Sequence, residues 1–337
     1  MTTTIDRRSV LKGAVGAGLG AAAAGTGLIA APAIAQAKYP TRPITMICPW
    51  GAGGGTDAVV RIIASLLEKS LGQPVNVVNR TGGSGVVGHS AIATAAADGY
   101  TLGIITSEIA MMHHQGLTQL TYENYTTLAL MNDDPPGVQV STSSPYKDIK
   151  QLADAIKASA PGKMKASGTG QGGIWHLALI GWLQGMGLKP DHVAWVPSNG
   201  AAPAMQDLAA GGLDLVTCSV PEGKAMIDAG KAKSLVIMAP ERNPQFKDVP
   251  TLKETLGVDF SIGSWRGIGG PKGLPPEVAK VLSAELKKIY DSKEYSDFMA
   301  ARGLTMRYAD AEAAYKFMGE SDKAMGAFMK AGGLAKG

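Results

Sequence analysis

The chain has 337 residues, 45% of them apolar and 18% charged, with a formal charge of +4, 44 Gly, 19 Pro and 2 Cys. This excludes a disulfide scaffold, a collagen-like repeat and a wholly disordered chain. A length above the roughly 250–300 residues at which single cores stop growing predicts two lobes, and a Gly content of about 13% against an ordinary ~7% falls largely at strand-to-helix junctions.

The chain opens with Arg7-Arg8-Ser9-Val10-Leu11-Lys12, a weakly apolar Gly/Ala stretch over 13–31, and Ala35-Gln36-Ala37. An arginine pair, an apolar stretch and a small-x-small end form the pattern of a twin-arginine export signal, so 1–37 is expected to be removed and the body to be periplasmic. Gly13, Gly16, Gly18, Gly20, Gly25 and Gly27 would make this segment a poor membrane helix. Losing Arg7, Arg8, Lys12 and Asp6 takes the charge from +4 to +2, which gives no ground for nucleic-acid binding. Beyond it, no run reaches the roughly 18–20 apolar residues of a spanning helix. Although an oxidising compartment permits disulfides, Cys48 and Cys218 fall in different predicted lobes and are expected to be buried and unpaired.

Positions 44–48 read as a short buried strand. Pro49-Trp50-Gly51-Ala52-Gly53-Gly54-Gly55-Thr56-Asp57 then turns into a helix marked by Val59, Ile62, Ile63, Leu66 and Leu67 and ended by Gly72. A second strand at 75–78, a Gly-rich turn at 81–85, an Ala-rich helix ending near Asp98-Gly99 and a third strand at 101–106 repeat the unit. The repetition predicts a parallel sheet with right-handed crossovers. Asn132-Asp133-Asp134-Pro135-Pro136 breaks the pattern and reads as the first crossing between lobes. The rhythm restarts with a helix at 149–158, a strand at 163–167, a turn at 168–173 and a helix at 174–186. A strand at 193–196, a turn at 197–200, a helix ending at Gly211-Gly212 and strands at 213–217 and 234–238 follow. Ala239-Pro240-Glu241-Arg242 reads as the return crossing, and 275–330 as mostly amphipathic helix packing on the first lobe. The expected fold is α/β with parallel-rich sheets: one lobe from 38–135 plus 241–337, the other from 136–240, with a ligand cleft at the carboxyl ends of the strands.

Gly83, Gly85 and Gly88, and again Gly168, Gly170 and Gly173, match G-x-G-x-x-G. A dinucleotide site also needs an acidic residue ending the next strand. After Gly83 that strand ends in Thr106-Ser107, and after Gly168 it ends in Pro197-Ser198-Asn199, so no nucleotide cofactor is expected. Backbone physics gives the plainer reading. Glycine lets the chain approach a ligand closely, and the helix behind it aims unpaired N–H groups and a positive dipole end at the ligand. Four such turns, at 51–56, 81–83, 169–172 and 198–201, are expected to converge on one cleft that suits a small carboxylate.

Catalytic and metal chemistry find little support. His113-His114 has no third ligand nearby in sequence and reads as loop histidines, so no metal site is expected. Gly82-Gly83-Ser84-Gly85-Val86 lacks the last glycine of a nucleophile elbow. Cys48, with His176 or His89 as base, reads as a packing residue rather than a nucleophile. Trp50, Trp175 and Trp265 each lie beside a Gly-rich turn, where an aromatic face would cover a ligand. Arg266 would hold a second carboxylate through two parallel bonds, a surface ion pair being the alternative.

In combination and order, several segments resemble one family. These are Tyr39-Pro40-Thr41-Arg42-Pro43-Ile44, the 49–57 turn, Asn79-Arg80-Thr81-Gly82-Gly83, Asp98-Gly99-Tyr100-Thr101-Leu102, Gly172-Gly173-Ile174-Trp175-His176, Gly200-Ala201-Ala202-Pro203-Ala204 and Gly267-Ile268-Gly269-Gly270-Pro271. The mature chain is similar to the periplasmic solute receptors of tripartite tricarboxylate transporters. The resemblance implies a type II venus-flytrap binding protein without catalysis or cofactor, working as a monomer. It would capture a small carboxylate by hinge closure and pass it to a membrane permease. It points to Gly53, Gly54, Gly55, Thr56, Thr169, Gly170, Asn199, Gly200 and Ala201 as ligand-binding positions, with Trp50, Ser107, Glu222 and Arg266 beside them. Trp50 stands where Phe or Tyr is usual, and Thr81 where Pro is common. Trp265-Arg266 and Trp175-His176 resemble the family's receptors for di- or tricarboxylates more than those for amino acids. The competing expectation is an exported cofactor-dependent hydrolase or oxidoreductase.

Overall fold

The computed structural model describes residues 39–336; the expected export signal at 1–37 lies outside them. The chain begins with β1 (Ile44–Cys48) and α1 (Gly55–Leu71). One face of α1 buries Val59, Val60, Ile63, Leu66 and Leu67, and Gly72 ends it at φ +69° with its N–H on the Glu68 carbonyl. β2 (Val75–Asn79), α2 (Val86–Ala93) and β3 (Thr101–Thr106) follow, with α2 ending five residues before the Asp98-Gly99 expected. β1 pairs in parallel with both β2 and β3.

The expected break at 132–136 is mostly strand. β4 (Tyr125–Asp134) runs through Asn132 and Asp134, both fully buried, and only Pro135-Pro136 separates it from β5 (Gly137–Ser141). The second half continues with α3 (Ile149–Ala158), β6 (Lys165–Ser167), α4 (Ile174–Gly185), β7 (Ala194–Trp195), α5 (Ala201–Ala209), β8 (Leu215–Cys218), α6 (Val220–Asp228) and β9 (Ala232–Ile237). Every residue of α4 from Ile174 to Leu183 is buried, as befits a helix apolar on all sides. Then come α7 (Leu252–Leu256), β10 (Ser264–Pro271), α8 (Pro276–Asp291), α9 (Lys293–Arg302), β11 (Met306–Asp310) and α10 (Ala311–Ala331).

Two sheets result, ordered β11-β4-β10-β3-β1-β2 and β7-β6-β8-β5-β9. Both are mixed. β6 pairs in parallel with β7 and β8, while β10 is antiparallel to β3 and β4, β11 to β4, and β5 to β8 and β9. Four α/β units give the parallel pairs; the antiparallel strands are those that carry the chain between the halves or return from the C-terminal helices. β11 interrupts the expected helical tail. The return to the first sheet also comes later than 240. Thr251 bridges to Ile237, and Leu252, Leu256, Val258, Phe260 and Ile262 pack in the second sheet's core. α8 buries Val278, Leu282, Leu286 and Ile289 against the first sheet's core. α10 spans further than expected, with Ala314 and Met318 on the first sheet and Met329 in a cluster with Trp175, Met205 and Cys218. Among the described residues no helix is long and apolar enough to cross a membrane.

Candidate functional site

The carboxyl ends of both sheets meet around a cavity bounded by Trp50, Gly51, Gly54 and Thr56 from the first glycine turn, Glu108 past β3, and Ser264 and Arg266 on β10. Thr169, Ile174, Trp175, Gly200, Ala201 and Glu222 close it from the second sheet. Polar contacts join the two sides. The Gly51 N–H donates to the Asn199 carbonyl (2.9 Å), the Ser84 hydroxyl to the Gln171 carbonyl (3.3 Å), and Gln115 Nε2 to the Gly172 carbonyl (3.2 Å).

Four helices begin at this cavity, three of them on glycine, α1 on Gly54, α4 on Gly173 and α5 on Gly200, while α6 begins on Ser219. At α1 the cap is Gly54, with extended backbone and no side-chain cap. The amides of Gly55, Thr56 and Asp57 have no acceptor among the described residues. Asp57 instead folds back to accept the Gly53 N–H (2.9 Å), while Arg61 Nε and Asn79 Nδ2 donate to it. Burial pulls the Asp57 pKa up, but these donors outweigh it and hold the group below its ordinary range. The loop is thus fixed by an ionised carboxylate turned away from the cavity. At α5 the cap is Gly200, at φ +134°, a conformation closed to ordinary side chains. The Ala201 and Ala202 amides behind it are likewise unpaired. At α4, by contrast, the Ile174 N–H donates to Glu108 Oε1 (3.3 Å), whose Oε2 accepts the Thr106 hydroxyl (2.6 Å).

Arg266 sits at the floor, 1% exposed. Nη1 donates to Asp134 Oδ2 (2.6 Å) and to Asn132 Oδ1, Nη2 to Glu222 Oε1 (2.9 Å), and Nε to Thr56 Oγ1 (2.9 Å). Four of the five donors of the guanidinium are therefore spent on the protein, so neither a surface ion pair nor a bidentate grip on a ligand describes it. It ties β10 to β4, to α1 and, through Glu222, to α6 of the second sheet. Burial raises the pKa of both Glu108 and Glu222, against the lowering by Thr106 on the first and by Arg266 on the second. Glu222 Oε2 is buried and without a hydrogen-bond partner.

Of the positions expected from sequence, Trp50, Gly54, Thr56, Thr169, Gly200, Ala201, Glu222 and Arg266 line the cavity. Gly55 lies behind them: a Cβ there would stand 2.7 Å from Glu222 Cγ. Gly53 faces a different groove beside Arg61 and Phe298, and Asn199 meets the site only through its carbonyl. Gly170 packs on Ser84, where a Cβ would approach Oγ to 2.3 Å, and Ser107 is buried against Glu108. The turn at 81–83 does not reach the cavity, so three of the four turns converge. Trp265 is also remote, donating from Nε1 to Ser321 Oγ (2.9 Å). Glu108, Ile174 and Ser264 also line the cavity and are not among the expected positions; Glu108 lies just beyond Thr106-Ser107 at the end of β3, and Ile174 and Ser264 carry no distinguishing signal in the sequence.

Cys48, His89 and His176 are engaged in buried structural contacts. Cys48 and Cys218 are buried and unpaired, and burial pushes the Cys48 thiol up to about 12. His89 Nε2 accepts the Thr106 N–H (3.2 Å) and Nδ1 faces the Gly85 carbonyl (2.8 Å). His176 Nδ1 accepts the Gly172 N–H (3.0 Å) and the ring stacks on Trp195. Burial lowers both histidines to about 4. His113-His114 does acquire a third group, Asp322 on α10, with Oδ1 3.1 Å from His113 Nε2 and 3.8 Å from His114 Nε2. This cluster lies outside the cavity lining.

Residues 59–334 match the family described as the tripartite tricarboxylate transporter family receptor. A Cupriavidus necator protein, known as the UPF0065 protein in the gbd 5' region, is 31% identical over 95% of this chain and 97% of its own length. The periplasmic binding protein BugD superposes with a TM-score of 0.82 at 27% identity, over 89% of this chain and 100% of that one. Two Rhodopseudomonas palustris proteins match at 25% identity. MatC (Rpa3494), solved with bound malate, has a TM-score of 0.78 over 86% of this chain and 99% of its own. Rpa4515, solved with adipate, has a TM-score of 0.83 over 88% and 99%.

Proposed function

Because this chain belongs to the tripartite tricarboxylate transporter receptor family, a family of transport receptors rather than enzymes, we propose that it is a periplasmic receptor that captures a small carboxylate. The observation that carries this reading is the set of unpaired amides at the starts of α1 and α5, on either side of one cavity. Buried N–H groups without acceptors are costly, by about 1–3 kcal/mol each when isolated. A carboxylate seated there would satisfy several at once and meet the positive ends of two helix dipoles. Malate in MatC and adipate in Rpa4515 support the ligand class.

The ligand would sit between two lobes, 39–135 with 263–336 and 136–262, that close over it, Gly54, Thr56, Gly200 and Ala201 gripping and Trp50 and Trp175 walling it off. The receptor would act as a monomer and release its cargo to a membrane permease. Arg266 is committed elsewhere, so the basis for favouring a di- or tricarboxylate through that residue falls away.

Thermal unfolding with a panel of mono-, di- and tricarboxylates tests the reading. A ligand that binds only the native state contributes about 2.7 kcal/mol at a concentration a hundredfold above Kd, so one class of acids should raise the midpoint by several degrees. A panel in which no acid moves it would remove the carboxylate assignment.

A further inference from the structure

A second cluster of chemistry-bearing side chains lies away from the cavity. His113 and His114 stand in the turns that follow β3, between Met111 and Met112, both fully buried, and Gln115, which reaches the Gly172 carbonyl. Asp322, 208 residues after His114, faces them from the middle of α10. Its Oδ1 is 3.1 Å from His113 Nε2 and 3.8 Å from His114 Nε2, and the three ligand atoms all lie within 4.8 Å of one another. His114 Nε2 is also 3.3 Å from the Asp322 carbonyl oxygen. The three side chains are 18%, 28% and 18% exposed, so solvent still reaches the group.

Hydrogen bonding does not account for this arrangement. Asp322 Oδ1 is buried and has no hydrogen-bond partner although two imidazole nitrogens stand beside it. The nearer nitrogen is within reach but off the line that a hydrogen bond requires. Lone-pair atoms that gather round one point without pairing are what a shared cation imposes. A tetrahedral centre bound at about 2.0–2.2 Å holds its ligand atoms roughly 3.3–3.5 Å apart, and 3.1 and 3.8 Å bracket that edge. Two imidazoles and one carboxylate suit Zn²⁺, Co²⁺ or Ni²⁺, whereas Ca²⁺ and Mg²⁺ take oxygen ligands. We propose that His113, His114 and Asp322 bind a divalent transition-metal ion of the zinc class, with water completing its shell. The ion pins α10 to the turns after β3 at a point between Met318, packed on the first sheet, and Met329, packed with Trp175. An ordinary His–Asp ion pair is the competing account, and it predicts no response to metal.

Titration calorimetry on protein purified without a histidine tag and stripped with a chelator tests this. Zinc chloride should bind at one equivalent per chain with a Kd at or below about 10 μM. Saturating zinc should also raise the unfolding midpoint by several degrees, since it binds the native state. Calcium and magnesium chlorides should do neither. Asp322→Ala and His113→Gln should each weaken zinc tenfold or more. His192→Gln, at a histidine that meets only the Ile156 carbonyl, should leave the affinity unchanged. Zinc that fails to bind below about 1 mM overturns the site, as does an unchanged Kd in a folded Asp322→Ala or His113→Gln. Calcium binding as tightly as zinc overturns the metal class. Should neither variant fold, anomalous diffraction from wild-type crystals grown with zinc chloride decides, and an ion placed away from these three side chains overturns the site.

Discussion

Two of the helices that begin at the cavity have their first turns handled in opposite ways. α4 starts on a carboxylate supplied from inside the protein, Glu108, held by Thr106 and buried with it. α1 starts on nothing: its cap is Gly54 and three amides behind it lack acceptors. Both starts carry the same partial positive charge. Glu108 thus gives the Ile174 amide an acceptor from inside the protein and joins the two sheets, while the α1 amides are left open to the proposed ligand.

The largest effect concerns what holds the unfilled mouth in shape. Arg266→Ala would leave Asp134 and Glu222 as buried charges without their cation and free Thr56 Oγ1 from its donor. Removing one partner of a buried pair costs about 3–5 kcal/mol. Urea unfolding should show a loss of that size, and a loss below about 1 kcal/mol would mean the network does not fix the α1 start.

Acid should attack the α4 side next. His176 accepts the Gly172 N–H, and His89 accepts the Thr106 N–H, so a proton on either accepting nitrogen displaces a native donor. Burial lowers each from the ordinary 6.5 to about 4. The unfolded chain therefore binds these protons first. Stability from each is full above pH 6.5 and declines as pH falls to 4, by about 3 kcal/mol per histidine at ~1.4 kcal/mol per pH unit. Glu108 and Glu222, raised by burial, run the other way, being easier to bury once protonated. The histidine contribution is therefore read as a difference: His176→Gln should lose about 3 kcal/mol less than wild type between pH 7 and 4. Parallel curves would remove His176 from the account.

Closing the unfilled mouth directly should weaken binding without unfolding. The nearest atom to a Cβ at Gly54 is the Gly51 carbonyl oxygen at 3.7 Å, and φ is −80°, so the fold accommodates a side chain there. Gly54→Val would place two methyl groups across the approach to the Gly55 and Thr56 amides. Affinity for the ligand should fall about 100-fold, near 2.7 kcal/mol, while the unfolding midpoint of the free protein shifts by less than about 2 °C. Undiminished affinity would place the ligand away from α1.

What was legible in the sequence follows the range of the interactions. β1, β3, α1 and α3 fall where periodicity and glycine stops put them, because those signals are local. Asn132 and Asp134 read as a loop since polar residues beside Pro135-Pro136 ordinarily are one; they are strand because Arg266, 132 residues after Asp134, supplies their partner. The late return at 263 has the same origin, since only the packing of Leu252 and Phe260 on the second sheet reveals it. In the site, the glycine turns were visible as turns, but Glu108, Glu222 and Arg266 meet only through tertiary contacts, so their meeting had no sequence signature.

The smallest effect tests whether α4 differs from α1 only in being filled. Glu108→Ala would strip the Ile174 amide of its acceptor and the Thr106 hydroxyl of its partner. Orphaning buried groups of this kind costs about 2 kcal/mol. The deleted side chain would also leave a polar vacancy at a positive helix end, so an inorganic anion should re-enter it. Sulfate should therefore raise the midpoint of Glu108→Ala by more than it raises that of wild type, recovering part of the loss. Equal sulfate responses would show that the α4 start has no anion affinity of its own and that Glu108 acts there only as packing.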